Sequence, residues 1–525
     1  RSRAAKEGDS VYRQYADFSE PIRLTQSHRV LAINRGEKEE WLKVSIEVDE
    51  AEARAEIAAQ VLVPGGNYRE FLENTIEDAW TRLLFPSLER EIRAELTDRA
   101  NEQAIRMFAQ NLKPLLMQPP LRGRVTLGFD PAYRTGCKLA VVDETGKVLK
   151  TGVVYPTPPH NKKEEAARTL SDMIRRYHIT AIAIGNGTAS KESEIFVSEL
   201  LRDFPGVGYM MVSEAGASVY SASKLGAEEF PDFDVSLRSA VSIARRLQDP
   251  LSELVKIDPK AIGVGQYQHD MPPARLDEAL TGVVEDCVNG VGVDVNIASP
   301  SLLSYVSGLT RTTAKNIVAY REENGAFLSR KALLKVPKIG PKAFEQCAGF
   351  LRVPAAANIL DNTGVHPESY DAAEKLLKAC GFTLADVKNG KVDGLTARAE
   401  RLTIPKLSEM TGAGEMTVRD ILRELEKPGR DPRDELPPPM LRADIMDMND
   451  LKPGMELTGT VRNVIDFGAF VDIGVHQDGL VHISQLADRF IRHPSEVVRV
   501  GDVVKVTVLN VDPKTGRISL TMKKR

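Results

Sequence analysis

The run RVTLGFDPAYRTGCKLAVVDETGKVLKTGVVYP, residues 124–156, sets the architecture of the chain. Its apolar residues fall in short clusters separated by turn formers. That pattern predicts three short strands, with DETGK as the turn between the last two. A helical stretch follows (KKEEAARTLSDMIRRYH), then a buried strand (TAIAIG), a helix (KESEIFVSELLRDF), a strand (YMMVSE) and a helix (SLRSAVSIARRLQDP). Strands that alternate with helices after an initial meander predict an α/β domain over 123–249.

The flanks have a different texture. Residues up to about Gln118 carry apolar residues at helical spacing, in AEARAEIAAQVLV and across 67–116, and Pro119–Pro120 ends them. One strand-like insert, WLKVSIEVDE, interrupts. The opening RSRAAKEGDS is polar, is no signal peptide and reads as mid-helix sequence, so the chain looks like a piece of something longer. The expected segments are a helical region (1–122), the α/β domain (123–249), a helical connector (250–298), a hairpin repeat (299–353), a helical region closed by a Pro-rich linker (354–440) and a small all-β barrel (441–525). The linker, KPGRDPRDELPPP, cannot continue a helix.

A length of 525 residues exceeds one hydrophobic core. No apolar run is long enough to span a bilayer. Four scattered cysteines without CxxC or Cys/His pairing argue against structural zinc and for a reduced, cytoplasmic setting. The net charge of −4 is unevenly spread: residues 299–353 hold nine Lys/Arg against three Asp/Glu, and 451–525 hold eleven against eight. Basic segments in an acidic chain point to local anion binding, with nucleic acid as the leading candidate. No P-loop lysine motif occurs, so no NTPase activity is expected. IGVGQYQHDM (262–271) carries a GxG and a His–Asp pair but no strand–helix context, and reads as a structural connection.

VSGLTRTTAKNIV, from Val306, and VPKIGPKAFEQCA, from Val336, repeat one pattern: apolar, turn, apolar, turn, helix. This resembles the tandem helix-hairpin-helix motif, whose backbone N–H groups and helix N-terminus hold a phosphate. The motif has glycine at two hairpin positions. The first copy keeps Gly308 but has Thr310; the second keeps Gly340 but has Lys338. Arg311, Lys315, Lys338 and Lys342 add charge for phosphate. TGAGEMTVRDIL, with Gly412 and Gly414, looks like a third, weaker copy; an ordinary helical hairpin with a C-cap glycine is the bland reading of all three.

Residues 123–249 resemble the YqgF/RuvC branch of the RNase H-like fold. Enzymes of that fold hold two divalent metals with three or four carboxylates. The first carboxylate matches Asp130 and a third matches Glu214. The second position is Asn186, and Ser236 and Ser239, with Arg238 between them, stand at the last positions. Two carboxylates of four imply a degenerate nuclease with no metal, no cofactor and no catalytic residues beyond the vestigial Asp130 and Glu214. The alternative is a metal-dependent nuclease or resolvase acting through that pair.

Residues 441–525 resemble the S1 domain, a variant of the OB fold. Its strands are expected at ELTGTVRNVI, AFVDIG, GLVHIS, VVKVTVLNVD and RISLTM, with Asp466, Phe467 and Gly468 in the first turn. That turn lets Phe467 and Phe470 share an outer face with His482, while Val471 and Ile473 face the core. Arg517 is expected to supply charge nearby, with Lys505 a weaker candidate.

The order of segments resembles the Tex family of bacterial transcription accessory proteins. AINRGEKE (32–39), IGNGTASKE (184–192), IGVGQYQHDMPPARLDEAL (262–280), CVNGVGVDVNIASPSLL (287–303) and KPGRDPRDELPPP (427–439) carry the resemblance. It implies a cytoplasmic binder of RNA and single-stranded nucleic acid, with DNA as a further target and RNA polymerase as partner. Association with ribosomes is the other expectation for an S1-bearing chain.

Overall fold

The computed structural model describes residues 1–525 except 7, 9, 64–67, 264, 440, 443–450, 476, 513–515 and 524–525. Val264 of IGVGQYQHDM and the start of the last segment, 443–450, therefore lie outside the described residues. The chain forms two compact units: Arg1–Gln110 with Val264–Ala279, and Asn111–Gly263 with Leu280–Arg525.

In the first unit the opening residues are not helical. Ser2–Ala4 is the central strand of a three-stranded antiparallel sheet, between Asp17–Phe18 and Leu42–Val44. The expected insert supplies only the third strand. The helix Ser27–Lys38 packs Ala32 and Ile33 against Tyr12, Tyr15 and Leu42. A side chain at Gly36 would meet the Leu42 side chain at 2.7 Å, so the glycine of AINRGEKE admits the sheet against the helix. IGVGQYQHDM is a connection here. Asp270 accepts from Arg35 Nε at 2.6 Å, the Arg35 guanidinium lies 4.5 Å from the Tyr267 ring centroid, and a Cβ on Gly265 would overlap the Phe108 ring.

The second unit contains the α/β domain. Its five strands run in the order Val148–Val154, Cys137–Val142, Thr126–Asp130, Ala181–Gly185, Gly208–Val212. The first three pair antiparallel and the last two join in parallel. One face packs Leu127, Phe129, Ile182 and Ile184 against the helices Lys163–Tyr177 and Ser190–Leu201. The other packs Ala140, Ala181 and Ala183 against Ala240, Ile243 and Ala244 of the helix Val235–Gln248. A Cβ on Gly128 would lie 2.0 Å from the Ala240 carbonyl oxygen; only glycine lets this helix sit so close to the sheet.

The helical region beyond it is pinned by a buried arginine. Arg330 donates to the carbonyls of Leu351 (2.8 Å), Val365 (2.7 Å) and Thr363 and to the Tyr370 hydroxyl, whose own hydrogen goes to Asp361. The cation crosses from the hairpin repeat to the following bundle and satisfies three buried acceptors that would otherwise be costly. The Pro-rich stretch is likewise tied down. Arg433 is buried against Asp431 and reaches Asp249 at 2.7 Å, at the C-terminus of the last α/β-domain helix.

The C-terminal strands Glu456–Ile465, Gly468–Asp472, Gly479–His482, Val503–Asp512 and Arg517–Thr521 close into a barrel in the order first, second, third, fifth, fourth. Val461, Val471, Val481, Val506, Val508 and Leu520, at inward positions of the pleat, help to fill it. The expected strands end within two residues of these.

Candidate nucleic-acid interface

The outer face of the barrel carries the aromatic residues. Ile465 pairs with Gly468, so the first turn is Asp466–Phe467 and Gly468 already belongs to the second strand. The glycine acts by close approach: a Cβ there would lie 2.3 Å from the Val481 carbonyl oxygen of the third strand. The irregularity in pairing falls instead between Val461 and Val464's neighbour Asn463 on the first strand. Phe467 projects from the turn, 53 % exposed, and Phe470 stands half-buried on the outer side of the second strand. Val471 and Ile473 are buried in the core.

Register places the neighbours. Phe470 is opposite Asn463 on one side and Leu480 on the other, and Gly468 is opposite His482. His482 is exposed and caps the short helix Ile483–Leu486 by accepting from the Ser484 N–H. Phe470, Leu480 and His482 thus occupy adjoining outward positions on two paired strands, and Phe467 projects from the turn that precedes the first of them. Arg517 lies on the next strand, which pairs Leu480 with Ser519, so Arg517 sits one pleat beyond Phe470 and at the opposite end from His482. Lys505 belongs to the fourth strand, which borders the first and fifth strands only. Lys505 and Arg517 therefore each stand two strands from the one that carries Phe470.

The hairpins share one backbone. Gly308 has φ +80° and Lys338 φ +69°, both left-handed; Thr310 and Gly340, two residues on, are extended helix caps. The substitutions that make each copy look half-degenerate leave its conformation intact. Lys338 carries the cost of a side chain in the left-handed region, about 1–2 kcal/mol. Gly308 packs against the helix of the other copy, where a Cβ would meet Gln346 Cβ at 2.5 Å, and Asn316 donates to the Pro337 carbonyl at 2.9 Å. Arg311, Lys315, Lys338, Gly340 and Lys342 are all exposed. The third copy repeats the geometry, with Gly412 at φ +72° and Gly414 as cap. Sequence reasoning missed a fourth: Gly381 (φ +76°) followed by Thr383 as cap, the same Gly-x-Thr spacing as Gly308–Thr310.

In the α/β domain the structure brings Asp130 and Glu214 together. Burial, reinforced by the Glu214 charge and partly offset by Lys138, pushes Asp130 up to about 7. Burial also raises Glu214, against the Gly187 N–H and the Arg246 charge. Gly185 and Gly187 make room for Glu214: a Cβ on either would fall within 2.7 Å of its carboxylate. The other positions are committed elsewhere. Asn186 Oδ1 accepts from the Glu214 N–H (3.1 Å), Ser236 donates to Asp234 (2.8 Å), and Ser239 donates to Ser221 (3.3 Å). Arg238 is not in the site: it donates to the carbonyls of Phe230 and Ser221. The cation beside Asp130 is Lys138, directly opposite it in the sheet and held by the carbonyls of Thr135 and Gly136. Among the described residues no group of three or more His, Cys, Asp and Glu is placed to hold a metal ion. The donor set does not fit a two-metal centre, which needs at least one further anionic ligand.

An RNase H-like α/β domain, left-handed hairpins before helix N-termini and a closed five-stranded barrel with an aromatic outer face define a multi-domain protein of the nucleic-acid-binding class. The comparisons agree segment by segment. Family models match at 2–108 (Tex central region-like), 124–248 (Tex protein YqgF-like domain), 288–352 (helix-hairpin-helix motif), 358–433 (HHH domain) and 450–523 (S1 RNA binding domain). The chain is 53 % identical over 530 residues to protein YdcI of Bacillus subtilis, covering all of this chain and 73 % of that one. It is 50 % identical over 524 residues to the transcriptional accessory protein Tex of Neisseria gonorrhoeae, covering 98 % and 67 %. With the human S1 RNA-binding domain-containing protein 1 it shares 37 % over 574 residues, covering 97 % and 57 %. The chain belongs to the Tex family.

Proposed function

We propose that this protein binds single-stranded nucleic acid, RNA foremost, and serves transcription as an accessory factor. The observation that carries the reading is the outward grouping of Phe467, Phe470 and His482 over a core complete without them. Flat faces accept any base at about 1–3 kcal/mol each, so such a surface binds without selecting sequence. The hairpins then hold the backbone through N–H groups and exposed cations. RNA polymerase is the proposed partner, because the relative from Neisseria gonorrhoeae bears a transcriptional name. Co-purification with ribosomes instead of polymerase would move the function to translation.

In this reading the α/β domain supplies a scaffold and cleaves nothing. The nearness of Asp130 to Glu214 favours one rival, a weak metal-dependent nuclease. Labelled single-stranded and branched substrates incubated with Mg²⁺ or Mn²⁺ decide it: cleavage that vanishes in Asp130→Asn establishes the rival. The binding reading is tested by Phe467→Ala/Phe470→Ala, which should weaken RNA binding while the barrel stays folded. Loss of folding in that variant would return both rings to the core.

A further inference from the structure

A second aromatic stands on the barrel outside that surface. Phe490 is 89 % exposed, the most exposed aromatic ring among the described residues. A single exposed apolar side chain needs no explanation; its setting does. The loop that carries it is fixed at both ends. Leu486 and Ile491 are buried in the barrel core, and the N–H groups of Arg492 and His493 each donate to Glu496 Oε1 at 3.0 Å. With Ile491 committed to the core, the neighbouring ring is held in solvent. Arg489 and Arg492 flank it, both exposed; Glu496, held below the usual carboxylate range by the N–H groups of His493 and Arg492, also feels the charge of Arg489. Asp488 is the one acid in 487–493.

The loop also starts at the aromatic platform. The helix Ile483–Leu486 begins on it, with the Ile483 N–H donating to the Phe467 carbonyl at 2.8 Å and His482 as its cap. One helical turn and four further residues put Phe490 at most about 20 Å from His482. That is a few nucleotides along an extended strand, within the span of one OB-fold site. An exposed ring between two exposed guanidiniums is the chemistry of a base-stacking and phosphate-tracking station.

We propose that Phe490, with Arg489 and Arg492, forms a second stacking station that extends the single-stranded nucleic-acid path of the barrel beyond Phe467, Phe470 and His482. This rests on the barrel being the binding site, and the test separates the two ideas. The full chain is titrated with fluorescent oligouridylates of about 5 and about 12 nucleotides, lengths inside the range of OB-fold sites. Phe490→Ala should weaken the long oligomer about fivefold or more, leave the short one within about twofold, and be restored by Phe490→Trp. Arg489→Gln/Arg492→Gln should make the long oligomer's affinity less salt-dependent, by about 1.4 in logarithmic slope. Unchanged affinity of Phe490→Ala for the long oligomer overturns the proposal and assigns the ring to a protein contact. Equal losses on both lengths also overturn it, since the ring would then be part of the first station or of folding. If Phe470→Ala leaves the short oligomer untouched, the platform fails on its own account.

Discussion

The α/β domain turns its polar residues inward, while the barrel turns its aromatic residues outward. In the α/β domain Asn186, Ser236, Ser239 and Arg238 are each bonded to protein, and the carboxyls of Asp130 and Glu214 are driven towards protonation by burial. On the barrel Phe467 and His482 face solvent, over a core closed by other residues. Polar groups that already satisfy one another are not free to bind a phosphodiester, which is the basis of the scaffold role proposed for this domain. A surface with unsatisfied π-faces retains its full capacity to bind. Both domains keep their fold because the residues that stabilise it lie elsewhere.

The largest effect should separate the two regions outright. Phe467→Ala/Phe470→Ala should cost about 2–6 kcal/mol in single-stranded RNA affinity by fluorescence anisotropy, two rings at 1–3 each. Asp130→Asn/Glu214→Gln should leave it unchanged. The reverse outcome would break the comparison.

The second test concerns stability. Asp130 ionises near 4 in the unfolded chain but is pushed up to about 7 when folded. Between those values the native state holds the extra proton, so this group's contribution falls as pH rises from about 4 to about 7. Asp130→Asn lacks the penalty. Denaturant unfolding should show the variant gaining on the wild type by about 2–4 kcal/mol from pH 4 to pH 8. A constant difference across that window would mean that the carboxylate is solvated.

Smaller effects test whether the hairpins stand with the barrel as open surface. Gly308→Ala meets both a left-handed backbone and the Gln346 side chain, and should destabilise by about 1–3 kcal/mol. Lys338→Gly relieves its own left-handed strain, so it should stabilise by up to about 1 kcal/mol while lowering the salt slope of binding by about 0.7. A stabilised variant with an unaltered salt slope would remove Lys338 from the phosphate contacts.

Much of this was legible in the residues. The barrel strands follow from period-2 patterning, and Gly468 flags the tight passage between Phe467 and Phe470, although its role is close approach to Val481. Asp130 and Glu214 are recognisable because Asp130 ends one strand of the sheet and Glu214 follows the end of another by two residues, which places their side chains at a common edge. Arg238 misled because helical position fixes where a long side chain starts and not where its head group goes. Lys138 gives no such signal in the sequence, because its proximity to Asp130 depends on strand pairing. Phe490 left one signal, an aromatic between arginines in RFIR, which had no meaning until the barrel showed which of its neighbours were buried.

The order of segments, the strands of the barrel and the positions where carboxylates give way to neutral residues are all set by the residues alone. Local periodicity and residue chemistry suffice for these. Long-range packing was needed to show that Lys338 adopts the conformation of a glycine, that the opening residues form a strand and that Arg433 anchors the Pro-rich stretch. Each of these depends on partners distant in the chain, whose packing, pairing or charge outweighs the local preference of the residue itself.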